Sequence, residues 1–140
     1  MKKSLLLIAV FSLFAVAAFA DMVVSPQALP KQAQDFIAQK FAGAGIMYVE
    51  QDYDEFEVRL NNGAEIDFYI NGDWKQVKTY SGFPAGILPA AVENTAKQTQ
   101  PNASIIKAEK TWNGFEVKMS NRMELYINPQ GQLLGQKFDK

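Results

Sequence analysis

Neither cysteine nor histidine occurs among the 140 residues. That double absence removes Ser-His-Asp and Cys-His nucleophilic sites, His- or Cys-ligated zinc and copper, and any disulfide framework. A lipid-modified cysteine behind a leader is excluded for the same reason. No glycine-rich phosphate loop precedes a helix and no nucleophile elbow is present. Apolar runs are short too: the longest, Leu5 to Phe14, falls well below the ~20 residues of a membrane span. Positive charge is modest, with 14 basic against 15 acidic residues, two of the basic ones being Lys2 and Lys3. A mildly acidic chain with scattered lysines is a poor binder of nucleic acid or anionic membrane.

What is present begins with a leader. Lys2-Lys3 is a basic start, Leu5 to Phe14 an apolar run, and Ala18-Phe19-Ala20 a small-x-small site ahead of Asp21. This pattern predicts a secretory signal peptide over 1–20, cleaved after Ala20, and a mature chain in the periplasm of a Gram-negative cell. Residues 21–140 then form one domain, long enough to hold a core without disulfides. Its charge is uneven: residues 21–80 carry 10 acidic and 5 basic side chains, residues 81–140 carry 5 and 7.

The chain repeats itself at an offset of 59 residues without a gap. Leu29-Pro30 matches Leu88-Pro89, Ile46 matches Ile105, and Phe56-Glu57-Val58 matches Phe115-Glu116-Val117. Glu50, Glu65 and Gly72 recur as Glu109, Glu124 and Gly131, and 13 positions of residues 29–80 recur unchanged in 88–139. A match of this length without a gap is what two copies of one folding unit produce.

Each copy opens with a helix. Leu29, Ala33, Phe36, Ile37 and Phe41 make an apolar stripe at helical spacing, and Pro30 suits the start. The second helix, Leu88 to about Gln100, has a thinner face, with Thr95 and Ala96 in place of Phe36 and Ile37. Phe83 and Ile87 in the linker are the expected cover. Four strands follow each helix: about 45–52, 55–61, 64–70 and 74–80, then 104–111, 114–120, 123–128 and 132–138. Alternation over Glu55 to Ile70 sets a hairpin register in which Val58 faces Ile66 and Glu57 faces Asp67, provided the loop is Asn61-Asn62-Gly63. Gly63 suits the left-handed third position, which Arg122 must adopt in the second copy. Asn71-Gly72 and Asn113-Gly114 read as hairpin turns. The expected fold is α+β: two tandem helix-plus-four-strand meanders in one continuous antiparallel sheet of about eight strands, with both helices on one face.

The other face would carry Tyr48, Glu50, Glu57, Arg59, Glu65, Asp67 and Tyr69 from the first copy. Lys107, Glu109, Glu116, Lys118, Glu124 and Tyr126 come from the second, with Arg59–Glu65 and Lys118–Glu124 as cross-strand ion pairs. It is either a plain solvated surface or a recognition surface, since tyrosines are favoured at interfaces. As a recognition surface its candidate residues are Tyr48, Glu57, Arg59, Asp67, Tyr69, Lys118 and Tyr126. The remaining chemistry is carboxylate. The acidic run Glu50 to Glu57 fails as an EF-hand loop, because Glu57 stands where glycine is required and Gly63 where glutamate is. It reads as a solvated hairpin tip, with a cation at Asp52 to Glu57 or a small ligand between the repeats as the alternative. Glu57 and Asp67 are a carboxylate pair of the kind glycosidases use. On an open sheet without an evident pocket they do not suggest an enzyme, and no resident metal or cofactor is expected.

The repeated pattern of Leu-Pro, helix, Ile-x-x-Val/Ala-Glu, aromatic, Phe-Glu-Val, x-Glu-Ile/Leu and x-x-x-Gly resembles the PepSY-like, beta-lactamase-inhibitor-like family of secreted bacterial proteins. The resemblance covers essentially the whole mature chain. It implies two tandem units as in the beta-lactamase inhibitor protein fold, and a non-enzymatic role in the periplasm. The partner expected from the exposed sheet face is another periplasmic or envelope protein, recognised or inhibited through that face. The resemblance carries over no functional residue, and the cysteine pairs of the secreted inhibitor are missing here.

Overall fold

Pro30 and Pro89 stand at the N-terminal cap positions of helices α1 (Lys31–Lys40) and α2 (Ala90–Thr99). A proline there loses no hydrogen bond, because the first N–H groups of a helix have no intrahelical partner. Leu29 and Leu88, expected as the first helical residues, lie just before the helices and are buried. The structure is a computed structural model that describes residues 22–140. The expected leader and its cleavage site lie outside the described residues.

Among the described residues, nine strands form one sheet in sequence order, every neighbour antiparallel. They are β1 (Met22–Val24), β2 (Ile46–Gln51), β3 (Glu55–Leu60), β4 (Glu65–Tyr69), β5 (Trp74–Lys78), β6 (Ile105–Thr111), β7 (Gly114–Met119), β8 (Met123–Ile127) and β9 (Leu133–Phe138). The ninth strand relative to expectation is β1, which pairs with β2 through Val23 opposite Glu50. The 59-residue offset holds even for irregularities: a register shift between Ile46 and Tyr48 recurs between Ile105 and Lys107. Another, between Asp67 and Phe68, recurs between Tyr126 and Ile127.

The core is a continuous apolar row. Val49, Val58, Ile66, Val77, Ala108, Val117 and Leu125 face one another strand by strand, and none is more than 2% exposed. Ala33 and Ile37 of α1 and Val92 and Ala96 of α2 are buried with them. Trp74 of the first repeat stacks on Phe115 of the second at 6.1 Å. Phe36 meets Phe68 edge-on at 5.6 Å. The thinner α2 is covered as expected: Ile87 is buried, and Phe83 lies beside Glu93, Lys97 and Ile105.

The hairpin register is the expected one, with Glu57 opposite Asp67 and Val58 opposite Ile66. Gly63 and Arg122 both have positive φ, 86° and 68°. Thr111 faces Gly114, so the β6–β7 loop is Trp112-Asn113 and Gly114 opens β7, as the expected strand bounds had it. Glycine is needed there for close approach, since a Cβ would stand 2.2 Å from the Ile127 carbonyl oxygen.

Candidate functional site

On the face away from the helices, the pairings line up two rows across the sheet. One runs Glu50, Glu57, Asp67, Gln76, Glu109, Glu116, Tyr126. The other runs Tyr48, Arg59, Glu65, Lys78, Lys107, Lys118, Glu124, Lys137. The first carries five carboxylates and no cation; the second carries five cations and two carboxylates. Adjacent strands are about 4.8 Å apart, so each acid in the first row has like charge beside it or one strand away.

The consequence shows in the acids. Asp67 is half-buried and its carboxyl is pushed up to about 7, first by burial, then by Glu57 and Glu55, with Lys75 opposing. Glu116 is raised by burial and then by Glu124 and Glu109. Tyr48, Glu57, Arg59 and Asp67, four of the expected residues, surround one hollow of about 90 Å³ with Val58, Glu65 and Gln76. An open sheet with no pocket was the expectation; the hollow lies among side chains of β2, β3, β4 and β5. It is still far smaller than the roughly 300–1,000 Å³ of small-molecule sites.

Arg59 pairs with Glu65 as expected. Its Nε is buried without a partner. Tyr69 lies beyond the acidic row, opposite Glu55, with the Lys75 ammonium 6.0 Å from its ring centre. Lys75 itself pairs with Glu55 at 2.8 Å. In the second repeat the expected Lys118–Glu124 pair is replaced. Lys118 bonds Asp139 at 2.7 Å, and Glu124 takes Lys137 at 3.5 Å, because β9 and the tail after it bring both partners in. Tyr126 donates its hydroxyl to Glu124 at 3.3 Å. Tyr48, Glu57, Arg59, Asp67 and Tyr69 therefore gather on β2–β4, while Lys118 and Tyr126 lie apart on β7 and β8.

The acidic run forms the β2–β3 turn. Asp52 Oδ1 accepts the N–H groups of Asp54 at 3.0 Å and Glu55 at 2.9 Å. Ligand oxygens of Asp52, Asp54 and Glu55 lie within 4.8 Å of one another. Asp52 is lowered by the backbone bond from Asp54, and Asp54 is raised by its hydrogen bond to Asp52. No helix among the described residues is long and apolar enough to cross a membrane.

Residues 19–68 and 54–135 match the protein family described as "Putative beta-lactamase-inhibitor-like, PepSY-like". The chain belongs to this family. No curated protein matches it. Among solved structures it is similar to a "putative calcium-regulated periplasmic protein" of Bacteroides thetaiotaomicron. That protein is 29% identical with a TM-score of 0.77, over 84% of this chain and 96% of that one. A "putative periplasmic protein" of Bacteroides vulgatus is 26% identical with a TM-score of 0.78, over 86% and 98%. A second B. vulgatus periplasmic protein, of unknown function, shares the fold at 22% identity and a TM-score of 0.78. The tandem layout of the PepSY-like family is thus the layout seen here.

Proposed function

We propose that the chain is a periplasmic, non-catalytic binding protein that recognises a protein partner through the outer face of its sheet. The observation that carries this reading is the pair of oppositely charged rows spanning both repeats, one ending on Tyr126 and the other beginning on Tyr48. A broad face of ordered charge with aromatic rings steers and orients a protein partner better than it grips a small molecule. The expected leader, the periplasmic relatives and the inhibitor-like family support the same reading. The test is capture from periplasmic extract with the wild type and a Tyr69→Ala/Tyr126→Ala variant. Loss of captured protein in the variant is expected; identical capture by both would remove the face as the contact.

A second reading is favoured by one observation: the Asp52, Asp54 and Glu55 carboxylates converge, and a relative is described as calcium-regulated. A calcium ion at this turn would raise the melting temperature at millimolar calcium. An unmoved melting temperature would exclude it.

A further inference from the structure

The two repeats differ on the outer face around one hollow. Asp67 stands in the hollow of the first repeat; Tyr126, its counterpart 59 residues on, hydrogen-bonds Glu124 instead. Tyr48 at the rim likewise has Lys107 as its counterpart. We propose that the hollow beside Asp67 receives the cationic head of one lysine or arginine side chain from the protein partner. This rests on the docking reading above and names the chemistry of its contact.

Size, charge and shape agree. A volume of about 90 Å³ equals the liquid share of roughly three waters, enough for an ammonium or guanidinium group. Three carboxylates, Glu57, Glu65 and Asp67, line it against one cation, Arg59, which Glu65 already engages. Tyr48 adds an aromatic ring at the wall, of the kind a cation packs against. The acidic row continues on either side through Glu50, Glu109 and Glu116, beside the row that carries Arg59, Lys78, Lys107 and Lys118, so basic groups of a partner meet complementary charge along one row of the face.

The groups facing Asp67 are Tyr48 and Glu50 from β2, and Glu55, Glu57 and Arg59 from β3. Glu65 and Tyr69 flank it on β4, and Lys75, Gln76 and Lys78 lie on β5. Burial among these acids leaves the Asp67 carboxyl near half-protonated at neutral pH, and a cation seated beside it would hold it ionised. Calcium fits less well, because it takes six to eight oxygens. The acids that converge within reach of one ion are those of the β2–β3 turn.

The test is an NMR titration of the exported chain with N-acetyl-arginine amide and N-acetyl-lysine amide. The neutral N-acetyl-norleucine amide and calcium chloride serve as controls, and the Asp67 carboxyl carbon is followed across pH. Saturable shifts at Tyr48, Glu57, Asp67 and Gln76 are expected with the basic amides. The Asp67 midpoint should fall by about one pH unit at saturation. Asp67→Asn and Asp67→Tyr, the latter copying the second repeat, should each lose about tenfold in affinity. No saturable shift at these residues, an equal response to the norleucine amide, or a response to calcium alone would overturn the proposal. If the basic amides fail while capture still depends on Tyr69 and Tyr126, the cation assignment falls and the docking reading stands. If they bind but capture ignores the face, the docking reading falls, and the partner as source falls with it.

Discussion

Laid over each other at the 59-residue offset, the two repeats share a frame on both sides of the sheet and part at a few positions. Facing the helices, Val58 and Val117, Leu60 and Met119, and Ile66 and Leu125 are all buried in their own copies. Away from the helices, Glu50, Glu57, Glu65 and Lys78 recur as Glu109, Glu116, Glu124 and Lys137, but Asp67 has become Tyr126 and Tyr48 has become Lys107. The apolar row resists change because a single misfit is felt by every strand packed against it. The outer positions that did change are where a function acquired by one copy would appear. A second difference is positional. Trp74 and Val77 of β5 are buried beside β6, whereas Leu133 and Phe138 of β9, at the edge, are 40% and 58% exposed.

The comparison can be broken or sharpened by substitution. The largest effect is expected in the shared core: Phe68→Ala should destabilise by about 3–5 kcal/mol in a denaturant melt, since its ring is fully buried and meets Phe36 edge-on. Next comes the helix position at which the copies differ. Phe36→Ala should lose about 2 kcal/mol. Its counterpart Thr95→Ala should lose only about 1 kcal/mol, the hydrogen bond its hydroxyl gives the Gly131 carbonyl. Equal losses would mean that the two helices are held alike.

Asp67 gives a smaller, pH-dependent effect. Its folded pKa of about 7 lies above the ordinary 3.8, so its contribution is most favourable below pH ~4 and is lost as pH rises to about 7. Asp67→Asn should therefore leave stability near pH 4 little changed and raise it at pH 8. Because solvent still reaches the carboxyl, the gain should be about 1–2 kcal/mol, well short of the full shift. Melting curves at the two pH values read this directly, and a variant equally stable to wild type at pH 8 would contradict it. The smallest effect concerns the β7–β8 loop. Arg122 holds φ 68° where the first copy uses Gly63. Arg122→Gly should stabilise by about 0.5–1 kcal/mol, while Gly63→Arg should do the reverse.

The offset, the helix faces and the inner hairpin register were legible in the sequence because period-two alternation and turn chemistry act over a few residues. β1 was not, since three residues are too few to show a period. The close approach at Gly114 was not legible, because a glycine demanded by the nearby Ile127 carbonyl looks the same in sequence as one demanded by a turn. The candidate residues of the outer face were legible one by one, but the rows they form were not. The register across the seam, Gln76 opposite Glu109, is set between strands separated by a linker and a helix, and no local pattern encodes it. The hollow needed the same information, together with the register shifts that seat Tyr48 opposite Arg59. Lys118 faces Glu124 across the hairpin, and strand alternation cannot show that the tail folds Asp139 onto it.

Site-specific photo-crosslinking in the periplasm tests the central claim most directly, with the reactive side chain placed in turn at Tyr48, Tyr69, Tyr126 and, on the helix side, Gln39. The outer-face account predicts one common adduct from Tyr48 and Tyr69, a weaker one from Tyr126 and none from Gln39. An adduct from Gln39 with nothing from the three tyrosine positions would contradict it.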